Sequence, residues 1–180
     1  MDNGLVSTGT HTLGPDDATL TVHTGKGGAA AMAGHNLLIE VTSWSATLAL
    51  GDEPGLTLTA DSGSFKVREG SGGVKSLGDD DKSNIDQTIV DEVLKGGEIE
   101  FKSDSVERTD GRLRMRGELN LLGQRRPLTF ELAVGDDGRI TGEATLKQSD
   151  WGMKPYSALF GTLKVADELR VAVDGRLPLT

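Results

Sequence analysis

The chain has no cysteine among its 180 residues. That excludes disulfides, thiol nucleophiles and thiolate metal sites. Aromatic residues make up 4% of the chain and proline occurs 5 times. Large rings, the usual fillers of a wide interior, are therefore in short supply. Positive charge is also in deficit, with a formal net charge of −9 and a pI near 4.8. Such a chain has no general attraction to nucleic-acid phosphates, so nucleic acid is not an expected partner. Anionic membrane surfaces would repel it. No apolar run approaches the ~18 residues of a spanning helix, so stable membrane insertion is not expected. The opening residues, MDNGLVSTGTHTLGPDD, have neither the basic start nor the apolar stretch of a signal peptide. The expected compartment is cytoplasmic.

What the chain does have is 25 glycines and repeated two-residue alternation. The clearest case is Arg112 to Val134, RLRMRGELNLLGQRRPLTFELAV. Leu113, Met115, Gly117, Leu119 and Leu121 share one face, and Arg112, Arg114, Arg116, Glu118 and Asn120 the other. After a break at Gly123-Gln124 the pattern resumes with Leu128, Phe130, Leu132 and Val134. A period of two marks a strand with one wet and one apolar face. Two such runs joined by a Gly-containing turn form an antiparallel hairpin.

Other segments read the same way. Residues 1–10 are a loose lead-in, and Thr19 to Thr24 is a strand. Leu37, Ile39 and Val41 share one phase, while Trp44, Ala46, Leu48 and Leu50 share the other. A one-residue switch of this kind predicts a bend near Thr42-Ser43. Leu56 to Arg68 forms a second long strand, interrupted at Asp61-Ser62-Gly63. Strands follow from Ile99 to Arg108 and from Arg139 to Lys147. Leu159 to Ala166 and Leu169 to Leu177 are expected to pair across Asp167. Ile85, Ile89 and Val93 recur with helical spacing. They predict one short amphipathic helix over 83–94, capped by Asp81 or Ser83 and ended by Gly96-Gly97.

No domain linker or long repeat is visible, so residues 1–180 are expected to form one domain. The order of strands, one helix and strands favours an all-β fold, an antiparallel meander closed into a barrel of about eight strands. An open sandwich is the alternative.

Small residues recur at inward positions. Gly117 lies in phase with Met115, Gly142 and Ala144 with Ile140 and Leu146, and Gly161 with Leu159 and Leu163. Such positions either leave space for a ligand or mark bends in a curved sheet. A cavity lined by aliphatic residues would suit a long apolar ligand.

No catalytic constellation emerges. His11, His23 and His35 match no metal motif. His23 sits mid-strand in the outward phase. His35 enters a strand from a loop, where a structural hydrogen bond is the plain reading and a general base the sharper one. Asp79-Asp80-Asp81 lacks the spaced ligands of a cation loop and suits a helix start. Ser149-Asp150-Trp151-Gly152 is not a nucleophile elbow. No catalytic residue, metal site or cofactor is expected. Trp151, Met153 and Tyr156 form the most ligand-like cluster, or else an apolar plug.

Three stretches carry a resemblance. Ile99-Glu100-Phe101-Lys102-Ser103 with Val106 matches a pattern I-x-F-x-S…V. Arg116 to Leu128, RGELNLLGQRRPL, matches V-x-G-x-L-T-I-x-G-x-T-R-P-V, and Gln148 to Gly152 matches R-S-D-F-G. In these the chain resembles the YceI-like family of lipocalin-like polyisoprenoid-binding proteins. It departs at Pro15-Asp16-Asp17-Ala18-Thr19, where the family's D-x-x-H-S has a histidine. The resemblance implies an eight-stranded antiparallel lipocalin-like barrel with an elongated apolar cavity. It implies non-enzymatic binding of a long-chain isoprenoid or similar apolar lipid. The expected ligand-binding residues are Phe101, Met115, Gly117, Leu119, Leu121, Phe130, Leu132, Leu146, Trp151 and Leu163. Two other readings stay open. One is an interaction module whose hairpin edge pairs with a partner or forms a homodimer. The other is a lipid-modifying enzyme with His35 as base.

Overall fold

The structure, a computed structural model, describes residues 9–27, 36–71, 78–153, 157–158 and 163–177. Its strands are β1 (Thr10–Leu13), β2 (Ala18–Gly27), β3 (Asn36–Val41), β4 (Trp44–Ala49), β5 (Gly55–Ala60), β6 (Phe65–Ser71), β7 (Ile99–Thr109), β8 (Arg112–Leu121), β9 (Gln124–Val134), β10 (Arg139–Lys147), β11 (Ser157–Ala158) and β12 (Leu163–Arg176). They form one sheet in the order β1-β4-β5-β7-β8-β9-β10-β12-β2-β3-β6, with the two-residue β11 added beside β12. Every pairing is antiparallel.

The expected count of eight strands is therefore corrected to eleven on the main path, plus β11. Bends are the reason. The chain is broken between β1 and β2 by a turn in which the Asp17 carboxylate accepts the Gly14 N–H at 3.0 Å. It bends again at Thr42-Ser43, where the Thr42 N–H donates to the Ser64 carbonyl at 2.8 Å. A single 3₁₀ turn, Ser62–Ser64, separates β5 from β6, and Asp61 caps it through the Gly63 N–H. Two runs read as long strands, 37–50 and 56–68, thus become four, and the short β1 adds another.

These bends also curl the sheet. β3 and β4 are two residues apart in sequence, yet lie near opposite ends of the path, as do β5 and β6. The bent hairpin they form brings those ends together. Leu37, Ile39 and Val41 then face the interior from one phase, and Trp44, Ala46, Leu48 and Leu50 from the other, as the phase switch requires.

The hairpin of β8 and β9 holds the register Arg112↔Ala133 to Leu121↔Gln124. Its turn is Leu122-Gly123, one residue earlier than the break in alternation suggested. Both turn residues have positive φ, 53° and 75°. That is the twist-matched geometry favoured for two-residue hairpins. Leu113, Met115, Leu119, Leu121 and Leu132 are buried, and Met115, Leu48 and Leu50 are at most 1% exposed. The outward arginines of β8 are exposed and lie among acidic neighbours: Arg114 is paired across the sheet with Glu107 and Glu131.

One further expectation is corrected. Residues 163–177 hold one long strand, and no hairpin turns at Asp167. β12 passes an irregularity between Val165 and Leu169 where it pairs with β2. Aspartate there takes another role, described below.

The helix α1 (Asp79–Thr88) starts four residues earlier than expected, and continues as a π-helical turn, Ile89–Val93. Asp79, Asp80 and Asp81 occupy its first turn, where carboxylates meet the positive end of the helix dipole. Asp81 accepts the Gly78 N–H at 3.0 Å. The helix packs against β6, tied by the Asp86 carboxylate, which accepts the Val67 N–H at 2.7 Å. Among the described residues, no helix is long and apolar enough to cross a membrane.

Candidate functional site

The concave face of the sheet encloses a cavity of about 220 Å³. Its walls come from β1 through β10 and β12. The lining is aliphatic and aromatic, apart from Glu143, an exposed residue that reaches Arg170 at 3.7 Å. An apolar cavity of ~150 Å³ already stays dry and takes up small hydrocarbons. A second, smaller cavity of about 100 Å³ lies under α1, bounded by Ile85, Ile89 and Val93. The two share Val22, Phe65, Leu94, Met153 and Leu169 as walls.

Of the residues expected to bind ligand, Phe101, Leu119, Leu121, Phe130, Leu132 and Leu146 line the main cavity. Met115 does not: at 0% exposure it is packed solid behind the wall. Trp151 does not either. Its indole N–H donates to the Leu119 carbonyl at 2.7 Å, and the ring is 2% exposed, so it closes the structure around β8. Met153 reaches the cavity in its place. Leu163 is placed in β12 by pairing with Ala158, and its side chain lies outside the described residues. So do His35, Tyr156 and Gly161.

Gly117 is the main correction. Its inward position allowed either space for a ligand or a bend in a curved sheet, and it stood among the expected ligand-binding residues. It faces inward, but its space is filled. β7 bulges between Ser103 and Ser105 directly opposite Gly117. A Cβ at 117 would overlap the Lys102 carbonyl oxygen and lie 2.7 Å from Ser103 Cα and 2.8 Å from the Phe101 ring. The Phe101 ring thus lies over the glycine and meets Phe130, with centroids 5.2 Å apart and planes at 60°. At the bulge, the Ser103 hydroxyl accepts the Leu56 N–H at 2.9 Å, which keeps β5 satisfied. Gly142 behaves similarly, since a Cβ there would overlap Leu132 Cδ2. The open volume sits beside alanines instead: Ala46, Ala60 and Ala144 line it.

Trp44 was not among the expected ligand residues, although the phase switch had put it inward. It opens β4 opposite Ala60, which in turn pairs with Ile99, and all three line the main cavity. Its indole N–H is buried with no hydrogen-bond partner among the described residues.

The chain matches the YceI-like domain over residues 22–177. It belongs to the YceI-like family. Among solved structures it is similar to BcnA of Burkholderia cenocepacia, with a TM-score of 0.62 and 16% identity, over 87% of this chain and 94% of that one. At that identity the likeness concerns the fold. No match was found among curated proteins.

In this YceI-like chain the late segment Gln148–Trp151 is a 3₁₀ turn that ends at Gly152, with φ 72°. Arg126 Nε donates to the Asp150 carbonyl at 3.0 Å, linking the turn to β9. Asp167, from the irregular part of β12, accepts both the Ser149 hydroxyl and the Ser149 N–H, the latter at 2.7 Å. The Ser149 hydroxyl is the chief cause holding the Asp167 carboxyl below its ordinary range, and the Ser149 N–H adds to it. A depressed carboxylate stabilises the fold above its unfolded value of about 3.9, and that stability fades as pH falls through the lower folded value. Asp167→Asn is therefore expected to lower the melting temperature at neutral pH, and the gap to wild type should close on acidification below about pH 4. Thermal melts of both proteins across pH test this, and a gap that persists into strong acid would assign the effect to something other than the carboxylate.

His23 lies on the outer side of β2, 3.1 Å from the Thr21 hydroxyl, with its pKa lowered by partial burial and by Arg170. His11 is buried in β1. Among the described residues, no group of His, Asp or Glu side chains could hold a metal ion.

Proposed function

We propose that this protein is a non-enzymatic binding protein that carries or stores a long apolar lipid, of isoprenoid type, in its main cavity. The observation that carries this reading is the cavity itself. About 220 Å³ of space is walled by side chains that offer an apolar chain dispersion and desolvation and almost nothing polar. Membership of a binding-protein family and a curled sheet like that of BcnA support it.

The expected result of native mass spectrometry on protein purified from its own host is a mass above that of the chain, with a releasable lipid. A bare chain mass, together with no uptake of added prenyl lipids, would overturn the reading. Affinity should rise with tail length, by about 0.8 kcal/mol for each CH₂-sized group buried. The rise should level off after a few isoprene units, because ligand pockets for larger molecules span roughly 300–1,000 Å³. A titration series of prenols of increasing length checks both the rise and the plateau.

A further inference from the structure

β9 and β10 are 11 and 9 residues long, yet they pair only from Val134↔Ile140 to Glu131↔Glu143. Their other neighbours keep full ladders. β8 pairs with β9 from Arg112↔Ala133 to Leu121↔Gln124, and β10 with β12 from Arg139↔Arg176 to Lys147↔Glu168. Past Glu131 and Glu143 no register pair joins β9 to β10. The inward residues on either side of this seam are Leu128 and Phe130 on β9, and Ala144 and Leu146 on β10. All four line the main cavity. At the seam, the cavity wall is made of side chains without a backbone ladder.

The 3₁₀ turn Gln148–Trp151 bridges it. The turn continues directly from β10, and Asp167 holds Ser149 to β12. From that side it leans across the seam. Arg126 Nε of β9 donates to the Asp150 carbonyl at 3.0 Å, and the Trp151 indole N–H donates to the Leu119 carbonyl of β8 at 2.7 Å. Two side-chain hydrogen bonds thus fasten the turn where a ladder joins strands elsewhere. Each hydrogen bond contributes little net stability, so such a fastening opens far more often than a ladder does.

We propose that the seam between β9 and β10 is the mouth through which an apolar chain enters the main cavity, with the turn Gln148–Trp151 as its latch. The competing entrance is the outer edge of β6, which α1 covers and where Asp86 accepts the Val67 N–H. The proposal rests on the lipid-binding reading above and adds to it a route.

Stopped-flow fluorescence with farnesol as probe tests it, since Trp44 on the cavity wall reports filling. Arg126→Ala is expected to speed uptake and release alike by roughly fivefold, the factor of one net hydrogen bond. Filled and empty protein lose the same bond, so the equilibrium affinity should stay as in wild type. Asp86→Ala, which frees α1 from β6, should leave both rates within about twofold of wild type, because its bond lies away from the seam. The chain has no cysteine, so Arg126→Cys with Asp150→Cys gives one reactive pair for a short bismaleimide. The linked protein should fill roughly tenfold or more slowly than the same protein unlinked, as expected of a closed gate. Equal filling of linked and unlinked protein would overturn the proposal and leave the lipid reading standing. So would rates that rise in Asp86→Ala and not in Arg126→Ala, which would make α1 the lid. If wild-type protein takes up no farnesol or longer prenol, the lipid reading falls and the route with it.

Discussion

Gly117→Ala is expected to destabilise the protein by about 3 kcal/mol, the upper part of the range for overpacking. The atoms it would strike are mainly backbone: the Lys102 carbonyl oxygen and Ser103 Cα, with the Phe101 ring behind them. A ring can rotate away, but the bulged backbone of β7 cannot move without giving up its ladder to β8 or the Leu56–Ser103 bond to β5. Against a total stability of about 5–15 kcal/mol for a domain, this is a large share. Chemical denaturation of the two proteins measures it. Gly51→Ala supplies the control, since a Cβ there meets nothing within 4 Å and it is expected to change stability by less than about 0.5 kcal/mol. Equal stability of Gly117→Ala and wild type would show that the bulge is soft, and that β7 does not fix the position of Phe101.

Gly117 also shows what sequence alone can and cannot place. Alternation assigned it to the inner face correctly, because a two-residue period depends only on its own strand. What fills the space in front of it depends on β7, fourteen residues upstream in register, and on a bulge that the alternation of β7 does not reveal. The same division runs through the chain. The phase switch at Thr42-Ser43 was readable, as were the interruption at Asp61-Ser62-Gly63 and the inward sets of β8, β9 and β10, all of them local patterns. The start of α1 was set four residues too late: Asp79-Asp80-Asp81 was read as a helix start, but Asp81 and Ser83 were the cap candidates, whereas Gly78 takes that place and offers no side chain to signal it. Asp167 looked like a turn residue and is instead the anchor of a distant one. Trp151 drew attention as a large ring in an irregular segment, yet its N–H is satisfied by Leu119, and Trp44 is the tryptophan on the cavity wall. Strand phase was legible. Which inward residues border open volume was not, since that is a property of several strands at once.

Ala144→Phe is expected to abolish uptake of prenyl lipids while leaving the fold intact. Ala144 lies on β10 between Ile140 and Leu146 in phase, pairs with Val171 of β12, and lines the main cavity. A ring built there enters open volume, unlike one at Gly117 or Gly142, where neighbouring atoms already stand. The stability change should therefore stay under about 1.5 kcal/mol in either direction. Uptake should respond far more strongly. Displacing about four CH₂-sized groups of a bound tail removes ~3 kcal/mol of burial, roughly a hundredfold in affinity. The comparison with Gly117→Ala is informative because the two substitutions make opposite demands. One should lower the stability of the sheet by striking backbone; the other should keep the melting temperature and lose the ligand. Calorimetric titration of farnesol into Ala144→Phe, beside a thermal melt of the same sample, reads both quantities. Unaltered affinity in a well-folded variant would mean that the lipid lies elsewhere, and that the apolar interior of β8, β9 and β10 serves the core alone.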